Sequence, residues 1–235
     1  MIKNVIFLLF FIFFTSCKDN SQNYNKQYLN SLIEVNTHED SLINVFIKPY
    51  KTSIESEMNE IISFTKSDFK KNKPVGNLGN FITDLCLSYA KADVCVMNNG
   101  GLRSSINKGN ITVGMIYELM PFENELVIIE LSKTDFFEML HHIVIEKGGE
   151  PISGVKVIAT NNEIIDYKPK FNFEKKQKIK ILTSDYLADK KEFFKTKEQI
   201  KIGIKLRDAI INYCKNNDTI YSKVDDRIKI IDNEK

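Results

Sequence analysis

Asp93-Val94-Cys95-Val96-Met97-Asn98-Asn99-Gly100-Gly101-Leu102-Arg103 is the stretch on which the reading of this chain turns. It opens on an apolar run with valine at alternate positions, the composition of a short buried strand. It then breaks into two amides and two glycines before an arginine. Glycine reaches positive φ and admits close approach to the main chain, so such a turn can gather backbone N–H groups and side-chain amides at one point. That suits a polar or anionic ligand; a plain strand-to-loop turn with a surface arginine is the bland alternative. The arginine adds weight, because only Arg103, Arg207 and Arg227 among the 33 Lys+Arg residues are arginine. A planar, bidentate fork is the property lysine cannot supply.

Upstream of this stretch, residues 77–92 read as a helix with Leu78, Phe81, Ile82, Leu85 and Tyr89 on one face. Gly76 and Gly79 at its start either leave N–H groups open to an anion or permit close packing against a strand. Residues 49–65 read as an earlier helix, with Pro49 in its first turn and Ile54, Met58, Ile61 and Ile62 at helical spacing. Downstream, Thr112 is an N-cap for a short helix that ends before Pro121. A turn through Met120-Pro121-Phe122-Glu123-Asn124 leads into a strand over 126–131. Phe122 there plugs the core or offers a stacking face to a planar ligand.

Ser132 and Asp135 form a capping box for a helix that turns Phe136, Met139, Leu140 and Ile143 inward and ends at Gly148-Gly149. His141 and His142 are adjacent on it, about 100° apart around the axis, so they do not chelate one metal. Residues 155–159, 163–167 and 178–183 read as strands, with Asn161-Asn162 as a hairpin turn. Asp185 to Ala188 begins a loop, a helix follows over 204–214, and 227–231 is strand-like. Helices and strands alternate without a strict βαβ repeat, which predicts an α+β domain with a mixed sheet flanked by helices.

Length and charge bound the answer. At 235 residues with 43% hydrophobic residues, the chain can bury one substantial core. A net charge of +2, with lysines spread along the chain, argues against a nucleic-acid partner.

The N-terminus reads as a targeting segment. Lys3 precedes an apolar run over 5–14, too short to span a bilayer as a helix, which takes about 20 residues. Phe14-Thr15-Ser16-Cys17 resembles a bacterial lipobox, making Cys17 the lipidated first residue of the mature protein. Residues 1–17 are then signal peptide and lipobox, 18–41 a polar tether, and 42–235 the folded domain. Cys86, Cys95 and Cys214 remain, without metal spacing, and read as small buried hydrophobes. The expected location is a bacterial envelope membrane, the outer membrane, with its periplasmic and surface faces both open.

Four ordered motifs carry a family resemblance: Gly76-Asn77-Leu78-Gly79-Asn80-Phe81-Ile82-Thr83-Asp84, Asn98-Asn99-Gly100-Gly101-Leu102-Arg103, Gly109-Asn110-Ile111-Thr112 and Pro121-Phe122-Glu123-Asn124. Together they resemble the C-terminal, substrate-binding domain of the 5′-nucleotidases, two-domain metallophosphatases. The resemblance implies a substrate site. Asn98 and Arg103 match residues that hold the nucleoside and its phosphate end, Phe122 matches one of two rings that sandwich the base, and Tyr186 falls at the other. Asn124, in the Phe122 motif, joins the substrate-binding set, and Glu192 falls near the family's ribose-binding acid. The family's Gly-Gly-Asp-Gly segment is replaced by Lys190-Lys191-Glu192-Phe193, and Lys71, Lys73 and Pro74 stand where arginine is usual.

The resemblance also implies a partner. In the complete enzymes a separate domain holds two metals that activate water. Here only His38, His141 and His142 are present, in no metallophosphatase pattern. The expectation is therefore no cofactor in this chain, with divalent metals in a separately encoded metallophosphatase subunit, and no hydrolysis by this chain alone. Two functions stay open: the nucleotide-binding half of a split 5′-nucleotidase, or a degenerate surface lipoprotein keeping the fold as a binding or scaffold module without catalysis.

Overall fold

A computed structural model describes residues 41–231. The expected signal segment, its predicted lipidation site Cys17 and the expected tether up to residue 40 lie outside the described residues. Residues 45–231 lie in one compact unit; of the other, only residues 41–44, the start of a helix, are described.

The chain runs α1 (Ser41–Met58), β1 (Ile61–Thr65), α2 (Asn77–Tyr89), β2 (Val94–Val96), a 3-10 turn (Asn99–Gly101), β3 (Gly109–Thr112), α3 (Val113–Leu119) and β4 (Glu125–Leu131). It continues with α4 (Lys133–His141), a π turn (His142–Glu146), β5 (Ile152–Ser153), β6 (Val155–Ala159), β7 (Ile164–Pro169) and β8 (Ile179–Ser184). α5 (Asp185–Lys190), β9 (Gln199–Lys205), α6 (Leu206–Lys215), β10 (Thr219–Ile220) and β11 (Ile228–Ile230) complete it.

The predicted α+β class holds, but the one expected sheet is three. A five-stranded sheet ordered β5-β2-β8-β4-β9 is accompanied by two three-stranded sheets, ordered β10-β1-β3 and β11-β6-β7. The five-stranded sheet is mixed, with β2 parallel to β8 and antiparallel to β5, and β4 antiparallel to β8 and β9. Strand side chains alternate between faces, and here both faces are buried. Cys95, Met97, Leu126 and Leu182 meet α2, α3 and α6 on one face. Val94, Val96, Val127 and Ile181 meet α4 and the β6 sheet on the other.

The capping predictions hold in atomic detail. Thr112 accepts a hydrogen bond from Met115 N–H, and Ser132 and Asp135 form the reciprocal capping box. Four assignments need correction. The early helix ends at Met58 and residues 61–65 pair as strand, because Ile61-Ile62 with Phe64 and Thr65 suit a pleated surface better than a last helical turn. Pro49 therefore sits within α1 rather than in its first turn. Asp185 to Ala188 is helical, capped by Ser184, whose hydroxyl accepts from Leu187 N–H at 3.3 Å. β9 is a strand beyond those expected, although Ile200, Ile202 and Ile204 alternate with polar or glycine positions; its lysines suit the sheet edge it occupies.

Of the two readings for Gly76 and Gly79, close packing is the one realised. A Cβ on Gly76 would meet the backbone of Lys70 and Asn72, and one on Gly79 would lie 2.8 Å from the Pro151 ring. No helix among the described residues is long and apolar enough to cross a membrane.

Candidate functional site: a cleft between two aromatic rings

β2, an inner strand of the five-stranded sheet, delivers Asn98 just past its C-terminal end, where the chain tightens into its 3-10 turn. Gly101 N–H donates to Asn98 O at 3.1 Å, and Leu102 N–H to Asn99 O at 3.3 Å. Neither Gly100 nor Gly101 takes a positive φ. Their value is close approach: a Cβ on Gly100 would lie 3.3 Å from Asn98 Nδ2, and one on Gly101 3.1 Å from Asn98 Oδ1. The missing side chains thus leave room for the Asn98 amide to fold over the turn.

The turn is held from three sides. Asn99 N–H donates to Glu150 Oε2 at 2.6 Å, Lys71 Nζ to Leu102 O at 2.7 Å, and Arg103 N–H to Leu119 O at 2.8 Å. Lys71 is thus a strut for the loop and does not line the cleft beside it. Arg103 keeps its guanidinium exposed, with one bond from Nη1 to Gly100 O at 3.3 Å.

Asn98, Arg103, Phe122, Asn124 and Tyr186 line one cavity of about 340 Å³, together with Gly100 and Gly101. They come from three separate segments: the turn after β2, the loop before β4, and the first turn of α5. Phe122 and Tyr186 are 42% and 50% exposed, and neither ring pairs with another aromatic among the described residues. Rings left unpaired at a cavity wall present π-faces to an incoming planar group.

The Phe122 loop is strapped by residues that the sequence alone does not single out. Glu123 accepts hydrogen bonds from both Lys205 and Arg207. Arg207, 5% exposed, also donates to Met120 O at 3.4 Å and stacks 4.2 Å from the Tyr117 ring centroid, while Leu206 N–H donates to Asn124 O at 2.9 Å. The Lys205 hydrogen bond first, then that of Arg207, holds the Glu123 carboxyl down at about 2. Arginine scarcity is the available signal: it marks Arg103 and applies equally to Arg207.

Glu192 is the one predicted binding residue that the fold sets elsewhere. It is exposed, pairs with Lys195 at 3.1 Å and lines no part of the cavity. The cause is its neighbours: Phe193 and Phe194 turn into the core, edge to face with centroids 4.6 Å apart, and leave the preceding Glu192 on the outside. Among the described residues no group of three or more His, Cys, Asp or Glu side chains could hold a metal ion. A two-metal centre does not fit these residues, and no metal step is assigned to them.

Comparison with known proteins agrees with the fold. A family model described as 5'-nucleotidase, C-terminal domain, matches residues 56–162. An apyrase of Tabanus yao is 27% identical over 224 residues, covering 79% of this chain and 40% of the relative. A 5'-nucleotidase of Vibrio vulnificus is 26% identical over 141 residues, covering 56% of this chain and 26% of the relative. The chain thus spans less than half the length of these relatives. The crystal structure of a 5'-nucleotidase precursor from Thermus thermophilus superposes with a TM-score of 0.67 at 22% identity, over 82% of this chain and 43% of that one. Residues 56–162 thus belong to the 5'-nucleotidase C-terminal domain family by their family-model match, and the architecture of the folded unit agrees with that match.

Proposed function

We propose that this domain binds a nucleoside or nucleotide in the cleft between Phe122 and Tyr186 and acts as the substrate-binding half of a 5'-nucleotidase in nucleotide catabolism. The metal-bearing phosphatase half is supplied by a separate polypeptide, and Cys17 carries a lipid that anchors the protein to the outer membrane. The observation that carries the reading is convergence: five residues from three segments surround one cavity of about 340 Å³, with two exposed rings and an exposed guanidinium. Rings supply stacking, worth about 1–3 kcal/mol per base, while Asn98, Asn124 and Arg103 supply polar contacts.

Titration calorimetry of the purified protein with adenosine and AMP tests binding, and absence of heat with millimolar ligand overturns it. Activity that appears only when a metallophosphatase polypeptide is added supports the divided arrangement, whereas turnover of AMP by this protein alone contradicts it. Retention of a Cys17→Ser variant in membranes rules out the lipid as sole anchor.

One observation favours a second reading, a lipoprotein that keeps the fold as a scaffold. The acid expected at the ribose, Glu192, lies outside the cavity. The calorimetry separates the two readings, because a scaffold gives no heat with either ligand.

A further inference from the structure

A second cavity, of about 240 Å³, adjoins the first and shares Asn98, Gly100 and Tyr186 with it. Its wall is chemically different, holding three ammonium groups, Lys147, Lys190 and Lys191, against the single carboxylate of Glu150. Glu150 is already engaged, since its Oε2 accepts the Asn99 N–H at 2.6 Å.

Lys191 is the organised member. Its Nζ lies 2.9 Å from His142 Nε2, and His142 Nδ1 lies 2.7 Å from Glu146 Oε2. An ammonium can only donate, so Nε2 accepts from it and Nδ1 carries the ring proton toward Glu146. The imidazole is steadied by Phe193, whose ring centroid is 5.5 Å away. A flexible lysine is thereby fixed at the cavity wall by one of its three N–H groups, with two donors beyond that bond. Lys190, Lys191 and Phe193 stand where the resemblance places glycines beside the ribose.

We propose that this annex is an anion subsite and that the ligand is a nucleoside carrying a phosphate on its sugar. The base lies between Phe122 and Tyr186, and the phosphate accepts charge-assisted hydrogen bonds from Lys191 and Lys190. The shared wall of Asn98, Gly100 and Tyr186 lets one molecule span both cavities. His142 is a positioning residue that acts through Lys191. The subsite rests on the nucleoside-binding reading of the cleft and adds to it where the charge goes.

The test is calorimetry of the intact protein with adenosine, 3′-AMP, 5′-AMP and inorganic phosphate. At least one monophosphate is expected to bind tenfold or more tightly than adenosine, and the preferred isomer identifies which end of the sugar meets the annex. In a Lys190→Gln/Lys191→Gln variant that advantage collapses while adenosine affinity stays within twofold. His142→Gln reduces the advantage partway without altering adenosine affinity. If adenosine binds and neither monophosphate gains, or if the gain survives the double substitution, the subsite is overturned and the nucleoside cleft stands. If no nucleoside or nucleotide binds, both are overturned, whether or not inorganic phosphate does.

Discussion

Arg207 and Glu123, 84 positions apart in sequence, are hydrogen-bonded across the base of the Phe122 loop. One partner is buried and the other exposed, which makes the pair asymmetric. Arg207 also reaches Met120 O and lies over the Tyr117 ring, so its loss frees the loop on both sides of Pro121. Arg207→Met is expected to cost about 2–4 kcal/mol, counting the hydrogen bonds of a charged donor. Urea unfolding measures that cost, and calorimetry at a temperature where the variant is folded should show weaker nucleoside binding. A variant as stable as wild type refutes the strap.

Acid should loosen the same loop. The Glu123 carboxyl titrates at about 2 in the fold against an ordinary 4.5, held down first by Lys205 and then by Arg207. A carboxylate depressed in the folded state stabilises fully above its unfolded value and loses that contribution as pH falls through the folded one. Asp225, depressed chiefly by its hydrogen bond with Arg227, and Asp135, chiefly by Lys197, act in the same direction. The melting temperature should be nearly level from pH 7 to about 5 and fall below 4.5. Glu123→Gln should melt with a shallower fall between pH 4.5 and 2. Parallel curves for the two proteins would remove Glu123 from the account.

The contrast between Glu123 and Glu192 shows what is legible from sequence. Motif order identifies the cleft because turn and cap chemistry is local: Asn98 beside two glycines, Thr112 and Ser132 at helix starts, and Phe122 after a proline each announce their geometry within a few residues. Five of the six predicted binding residues come to one cavity for that reason. The direction of Glu192 depends instead on whether Phe193 and Phe194 turn inward, which is decided by the core they enter. The Arg207 strap depends on β9 bringing residue 205 beside residue 125, a pairing of distant segments. β1 reads as helix from sequence because Ile61 and Ile62 satisfy helical spacing as readily as they suit a strand.

Phe122→Ala tests the cleft at small cost to the fold, since the ring is already 42% exposed. Losing one stacking face removes about 1–3 kcal/mol, roughly a 5- to 150-fold loss in nucleoside affinity. The unliganded melting temperature should hardly move, and the stabilisation conferred by millimolar adenosine should shrink in step with the lost affinity. An undiminished adenosine shift in the variant would show that the base stacks elsewhere.

Gly101→Ala addresses the Asn98 amide without touching any ligand-facing ring. The new methyl would lie 3.1 Å from Asn98 Oδ1, and the backbone there is not in the left-handed region, so the strain falls on the amide. The expected result is a stability loss of about 1 kcal/mol or less, with a several-fold weaker nucleoside affinity. Since Asn98 is shared by both cavities, adenosine and AMP should weaken together. Unchanged affinity for both would mean that Asn98 does not contact the ligand.

Arg227 provides the complementary case, a buried guanidinium remote from ligand. It is 8% exposed, and it donates from Nη1 to Ile152 O at 2.9 Å, from Nη2 to Asp84 at 3.0 Å, and from Nε to Asp225 at 2.8 Å. It thereby ties the C-terminal segment to α2 and β5. Removing one member of such a network leaves the remaining carboxylates partly desolvated without their counter-ion, and about 3–5 kcal/mol is the usual scale. Arg227→Met is therefore expected to lower the melting temperature by roughly 6–20 °C, taking about 2–4 °C per kcal/mol for a domain of this size. Arg227→Lys should recover little, because an ammonium cannot reproduce the planar fork that reaches both carboxylates. Arg227 lines neither the ring cleft nor its annex, so adenosine affinity per folded molecule should be unchanged in either variant. A variant that keeps its stability but loses adenosine binding would make Arg227 a ligand contact and strip it of its role as a structural tie.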